Sequence, residues 1–146
     1  MYKRTQIGKL MIGVVGTAAL ALGLAGIIAR KYLDLAPFII LMSISGILLI
    51  CLILFSTLSV KVENDMVIVK YGIGLVRKKF LKEQIIDLEE IEYMGVHGWG
   101  PRLTSEGWFF NVKNSGAVKL YLKNSKIFFI GTDDSNKLSE AIKFHS

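Results

Sequence analysis

A run of 26 residues without a formal charge, Leu35 to Val60, constrains this chain more than any other stretch of its sequence. The hydrocarbon core of a bilayer is about 30 Å thick, and about 20 apolar residues in a helix cross it. The run is therefore long enough to span a membrane. We predict a membrane-spanning helix over about residues 36–59, with Pro37 in its first turn, where proline is tolerated.

A second apolar run, Leu10 to Ala29, has 20 uncharged residues between Lys9 and Arg30. A secretory signal peptide is the alternative interpretation, because the chain starts with basic residues and Ala19-Leu20-Ala21 resembles a cleavage site. The run is longer than the usual apolar region of a signal peptide, and another apolar run follows almost at once. We therefore predict a membrane helix over about residues 10–29 and a tight antiparallel hairpin, with residues 1–60 forming the N-terminal tail and both helices.

The basic residues near these two runs predict their orientation. Three precede the first run, two lie in the connection, and five occur in the twenty residues after the second run. Basic residues favour the cytoplasmic side, so both termini are expected in the cytoplasm. The formal net charge of +6 comes mostly from residues that flank the apolar runs, and it gives no reason to expect nucleic-acid binding.

Small residues recur at three- and four-residue spacings along the first apolar run. Such residues let membrane helices approach one another closely. The alternative is that glycine and alanine are simply common in membrane helices. The candidates for helix packing are Gly16, Gly23 and Gly26 of the first run and Gly46 of the second.

From about Ser59 the pattern changes to short apolar segments that alternate with polar residues and are separated by turns. We predict about seven antiparallel strands, because the connections are too short for crossover helices. A change of phase between Ile86–Leu88 and Ile91–Tyr93 predicts a β-bulge, and Asn124-Ser125 predicts a two-residue hairpin turn. A last amphipathic helix, with Asp134 as its N-cap, is expected to close one end of a small open barrel.

The order of seven strands and one C-terminal helix resembles a pleckstrin-homology-like (PH-like) domain. Four patches make residues 61–146 similar to bacterial PH-like proteins anchored by short membrane segments: residues 71–79 (YGIGLVRKK), 98–102 (GWGPR), 107–112 (GWFFNV) and 130–134 (IGTDD). The resemblance implies an α+β domain in a bacterial cell membrane protein and no enzymatic activity. The acidic turn Glu63-Asn64-Asp65 and the lack of tryptophan after Ser135 depart from phosphoinositide-binding members and disfavour inositol-phosphate binding.

The densest basic cluster follows the predicted first hairpin of this domain. It contains Arg77, Lys78, Lys79 and Lys82. Near an anionic leaflet each such charge can contribute about 1 kcal/mol, so the four residues are lipid-surface candidates. The alternative is a solvated strand end or a signal for membrane topology.

A glycine-rich loop supplies the candidates for partner binding. His97, Trp99 and Arg102 lie in or beside it, and Trp108 follows shortly after. Exposed tryptophan and arginine are typical of interaction hot spots. The alternative is that both tryptophans pack on the barrel and that Arg102 pairs with Glu106. Because His97 and His145 lie in unrelated elements and Cys51 lies in an apolar run, no metal site is expected.

These observations predict a membrane-anchored binding or scaffolding module that binds a protein or forms homo-oligomers at the cytoplasmic face. An accessory subunit of a transport or antimicrobial-tolerance system is one alternative, and binding to anionic lipid through the basic cluster is another. We predict no catalytic residues, no cofactor and no small-molecule substrate, since the sequence has no recognisable catalytic motif.

Overall fold

The computed structural model describes residues 1–92, 100–113 and 115–143. The helices in these ranges are α1 (Lys9–Tyr32), α2 (Leu35–Phe55), α3 (Ser135–Lys143) and one 3₁₀ turn (Lys82–Gln84). The strands are β1 (Tyr2–Ile7), β2 (Thr57–Glu63), β3 (Met66–Tyr71), β4 (Val76–Leu81), β5 (Ile85–Ile91), β6 (Arg102–Leu103), β7 (Trp108–Phe110), β8 (Gly116–Leu122) and β9 (Ile127–Thr132).

Helices α1 and α2 confirm the two predicted apolar helices near the N-terminus. Their most apolar windows have mean hydropathies of 2.2 and 3.0, and only 17% and 6% of those windows are buried within the chain. A core helix of a soluble protein would bury most of its apolar surface, whereas these helices leave it exposed. By length and composition, both helices can cross a membrane.

The predicted end of the second helix at residue 59 is wrong, because α2 ends at Phe55. The residues after Ser56 form β2, in which Leu58, Val60 and Val62 are buried and alternate with partly exposed residues. This period of two is the pattern of a strand with one face on the core, and β2 finds partners on both of its sides. Backbone pairing therefore ends the helix before the apolar run itself ends.

Strand β1 was not predicted from the sequence. Residues Tyr2–Ile7, expected to be part of an N-terminal tail, pair antiparallel with β2, and Tyr2 is opposite Val62. The helical hairpin is thus inserted between two paired strands. Both β1 and most of β2 precede residue 61, so the sheet draws on residues from both sides of the predicted domain boundary.

The strands form two sheets. The first has the order β1-β2-β3-β4 and is antiparallel throughout, and the second has the order β5-β8-β9-β7-β6. The expectation of an entirely antiparallel domain is wrong for one pair, because β7 runs parallel to β9. No crossover helix is needed there, since β8 returns the chain before β9 begins. The two sheets are not joined into one among the described residues, so the predicted barrel is not confirmed.

One core fills the space between the inner faces of the two sheets and α3. Its largest fully buried members include Tyr71, Phe80 and Leu120, and α3 contributes Leu138 and Ile142. The predicted N-cap of α3 is confirmed, because Asp134 Oδ1 accepts a hydrogen bond of 3.2 Å from Lys137 N. The C-terminal helix could therefore be predicted from local sequence. His145, which was also assigned to it, lies outside the described residues.

Two local predictions need correction. The bulge exists, but it lies at Ile86, which is 66% exposed and not directed inward. The turn between β8 and β9 has three residues, since Leu122 N bonds to Lys126 O and Ser125 takes a positive φ of 63°. The left-handed residue at the third position is typical of three-residue hairpin loops.

Candidate binding surfaces

A cleft of about 380 Å³ lies where the two sheets separate, between β3 and β4 on one side and β7 and β9 on the other. It is lined by Val69, Tyr71, Val76, Arg77, Lys78, Pro101, Trp108, Phe110 and Phe128. Most of these residues occupy inward positions of their strands, so the cleft is an extension of the core to the surface.

Aromatic rings form the floor of the cleft. The Trp108 ring stacks on Phe110 with centroids 6.5 Å apart, and Phe110 stacks on Phe128 at 6.2 Å. Trp108 is 44% exposed, whereas Phe110 and Phe128 are buried. The stacked row therefore presents one large aromatic side chain to whatever enters the cleft, and rigid, partly desolvated tryptophans are frequent hot spots.

The same cleft has a basic side. Lys78 Nζ lies 5.6 Å from the centroid of the Phe128 ring, and Arg77 also lines the opening. An ammonium over an aromatic face is stabilised by the charge distribution of the ring. The cleft is therefore suited to an apolar or aromatic group that carries negative charge nearby.

A tyrosine fixes the inner wall of the cleft. The Tyr71 hydroxyl donates a hydrogen bond of 3.1 Å to Asn111 O, and its ring contacts Phe55 edge to face at 5.8 Å. Burial raises the pKa of the Tyr71 phenol well above its ordinary value, so it stays a neutral donor. The end of α2 is thereby packed directly against one wall of the cleft.

The partner-binding candidates do not form one surface. Trp108 lies in the cleft, but the Arg102 guanidinium carbon lies 5.0 Å from the ring of Phe109, the next residue along β7. Neighbouring strand residues face opposite sides, so Arg102 and Trp108 are on opposite faces of the second sheet. Burial lowers the pKa of Arg102. Glu106, the partner considered for it, pairs with Lys119 instead, and His97 and Trp99 lie outside the described residues.

The lipid-surface candidates also separate. Arg77 and Lys79 are exposed on the outer face of the first sheet, whereas Lys78 turns into the cleft. Lys82 is only 5% exposed and donates a hydrogen bond of 3.1 Å to Ala141 O near the end of α3, and burial lowers its pKa. Lys82 therefore joins α3 to the strands.

Strand pairing adds basic residues that were not among the candidates. On the outer face, Lys70 of β3 is opposite Arg77 of β4. In the next row, Ile68 of β3 lies between Lys61 of β2 and Lys79 of β4. Lys3 of β1 extends the latter row. Period-two alternation shows which residues of a strand share a face. To predict these basic rows, it must be combined with the strand pairing, which the local sequence does not give.

The helix-packing candidates differ in their surroundings. A Cβ atom at Gly26 would lie 3.2 Å from Met42 Sδ and one at Gly23 would lie 3.4 Å from Ser45 Oγ, so both glycines face α2. Gly16 lies near Leu52, at 3.8 Å. At Gly46 no atom lies within 4 Å of that position among the described residues. The Ser45 hydroxyl donates a hydrogen bond of 2.7 Å to Ala19 O and thereby joins the helices.

Comparison of the chain with models of protein families, with curated proteins and with solved structures gave no match. Within residues 1–92, 100–113 and 115–143, no three His, Cys, Asp or Glu residues are grouped as metal ligands would be. The candidate site therefore rests on geometry alone.

Proposed function

We propose that this chain is an integral protein of a bacterial cell membrane, in which α1 and α2 form a two-span hairpin and both termini lie in the cytoplasm. The exposed apolar surface of both helices supports this topology. So does the pairing of β1 with β2, since it requires the chain to enter and leave the hairpin on the same side. The bacterial origin and the PH-like character of the domain are parts of this proposal that the sequence resemblance supports.

The sheet domain, in this proposal, is a non-catalytic binding module that holds a protein partner or a second copy of the chain at the membrane surface. The observation that carries the proposal is the cleft, with the exposed Trp108 stacked on buried rings and Lys78 and Arg77 beside it. A partner segment that inserts an apolar or aromatic side chain, with acidic residues next to it, matches both properties of the cleft.

The test is a pull-down from native membranes in mild detergent with a C-terminal tag, with the eluate analysed by mass spectrometry and light scattering. Trp108→Ala is compared with Ile86→Ala, which removes another exposed apolar side chain, outside the cleft. Truncating a hot spot costs about 2 kcal/mol or more, so Trp108→Ala is expected to weaken capture or self-association by about 30-fold or more. Equal behaviour of the two variants and the parent chain contradicts the proposed role of the cleft.

A second candidate is an accessory subunit that packs its helices against a larger membrane protein. Gly13 and Gly46 favour it, because each has open space beside its Cα among the described residues, while Gly23 and Gly26 are used within the hairpin. Small residues with open surroundings allow close approach of another helix. Capture of a stoichiometric polytopic protein that is lost on Gly46→Leu but kept on Trp108→Ala supports this candidate over the cleft.

A further inference from the structure

The turn between β3 and β4 packs against the end of α2. Gly72 N donates a hydrogen bond of 2.9 Å to Thr57 O, just beyond the helix. The position of a Cβ atom on Gly72 would lie 2.5 Å from Leu54 O and would also collide with Ile53 O. The backbone of this turn is therefore in direct contact with the last turn of an apolar helix.

The same turn exposes two large apolar side chains. Ile73 is 71% exposed and Leu75 is 73% exposed. Ile7, which ends β1 beside the start of α1, is 50% exposed at the same end of the first sheet. These three residues extend the apolar surface of the helical hairpin onto the sheet domain.

Basic residues lie next to these apolar residues on the outer face of the first sheet. The first row beyond the turn contains Lys70 opposite Arg77, and the next contains Lys3, Lys61 and Lys79. Rows on one face are separated by two residues, or about 7 Å along a strand. The interfacial layer on each side of the hydrocarbon core is about 5–7 Å thick, so the first basic row lies at the depth of lipid headgroups if the apolar turn meets the core.

We propose that the β3–β4 turn is a third membrane contact, with Ile73 and Leu75 inserted at the boundary of the acyl chains and Lys70 and Arg77 among anionic headgroups. The occupant of this surface is the bilayer itself, since the surface is continuous with the two apolar helices. This inference rests on the proposed anchoring of α1 and α2. Val76 both follows the turn and lines the cleft, so the contact also places the cleft opening next to the membrane surface.

The test uses the full chain in vesicles of phosphatidylcholine and phosphatidylglycerol. Cys51→Ser provides a background without cysteine, since Cys51 is the only one in the chain. Single cysteines are then placed at Leu75, at Ile86 and at Ile53 and labelled with an environment-sensitive fluorophore. Ile86 is the matched control, because it is 66% exposed and lies next to the 3₁₀ turn at the opposite end of the strands.

A label at Leu75 is expected to be quenched by lipids that carry a shallow spin label and to be protected from aqueous iodide, with the opposite result at Ile86. Replacing phosphatidylglycerol with phosphatidylcholine is expected to reduce the lipid quenching at Leu75. If Ile53 is quenched by lipid while Leu75 behaves as Ile86 does, the turn does not contact the membrane and only this inference fails. If Ile53 is also accessible to iodide, the anchoring itself fails.

Discussion

Substitution of Gly72 by alanine tests the contact between the sheet domain and α2. Gly72 has a φ of +50°, and the three atoms nearest to a Cβ atom there are all backbone atoms of Ile53 and Leu54. Backbone cannot move aside as a flexible side chain does, so the added methyl group must push the β3–β4 turn away from the helix. Gly74 offers a matched control, because its φ is +92° and the nearest atom is Lys70 Cδ at 3.8 Å.

The expected cost has two parts. A non-glycine residue in a left-handed conformation costs about 1–2 kcal/mol, and Gly74→Ala is expected to lose about this much. Gly72→Ala also displaces the turn. It then weakens the hydrogen bond from Gly72 N to Thr57 O, worth about 1 kcal/mol, and the Tyr71–Phe55 ring contact, worth about 0.5–1.5 kcal/mol. The total for Gly72→Ala is about 2.5–4.5 kcal/mol.

The assay is unfolding of the sheet domain by guanidinium in a mild non-denaturing detergent, followed by tryptophan fluorescence. Both tryptophans of the chain, Trp99 and Trp108, lie after residue 60, so the signal reports on the sheet domain and not on the helices. Gly72→Ala is expected to lower the free energy of unfolding by about 2 kcal/mol more than Gly74→Ala does. Equal losses for the two variants would refute the packing of the turn against the end of α2.

Two further substitutions test the capping of α3 and the packing of the hairpin. Asp134→Ala is expected to lower the free energy of unfolding, since it removes the N-cap of α3. The hydrogen bond to Lys137 lowers the pKa of the Asp134 carboxyl below its ordinary 3.8, so its stabilisation is present above that pH and is lost as the pH falls through the lowered value. An acid titration of the parent chain should show that loss, and Asp134→Ala should lack it. Ser45→Ala is expected to cost about 0.6 kcal/mol of hairpin stability in detergent, because it removes the bond to Ala19 O. Ser43→Ala is the control and should cost less, because the Ser43 hydroxyl donates its hydrogen bond within α2, to Ile39 O.

The elements that could be predicted from the sequence are those specified by local pattern. The two apolar helices follow from uninterrupted hydropathy, and α3 follows from Asp134 together with the helical spacing of Leu138 and Ile142. Each of these signals lies within one element. No knowledge of pairing partners was needed for any of them.

Strand β1 illustrates what local pattern does not contain. Its inward residues are Tyr2, Arg4 and Gln6. A segment with glutamine and arginine at inward positions does not have the sequence pattern of a strand that packs on a hydrophobic core. Gln6 is accommodated because its Nε2 donates a hydrogen bond of 2.9 Å to Gly131 O, which is 125 residues away. Arg4 is held by Asp133 at 2.9 Å, also from the far end of the chain. The strand depends on partners that alternation within it cannot reveal.

The candidate surfaces were likewise chosen from local sequence. The sequence grouped Arg77, Lys78, Lys79 and Lys82 because they are close along the chain, but alternation in β4 sends Lys78 inward, and the 3₁₀ turn carries Lys82 to α3. The basic rows on the outer face are instead assembled across strands. The cleft needs two sheets whose separation is set by packing, so only its individual members, such as Trp108, were visible beforehand.

The connection between hairpin and sheet has a mechanical consequence. A domain attached by one chain crossing can rotate about that crossing, whereas this one is attached by two, through Gly8 and Ser56. Gly8 N donates a hydrogen bond of 2.8 Å to Ser56 O, which joins the two crossings. A Cβ atom on Gly8 would lie 2.6 Å from Val112 O, so Gly8 also packs closely against the segment that follows β7. With the Gly72 turn as a further contact, the helices and the cleft are held in one orientation. Under the proposed membrane anchoring, a partner of the cleft meets it at a fixed height above the bilayer, so the proposal favours partners that present their binding segment close to the membrane.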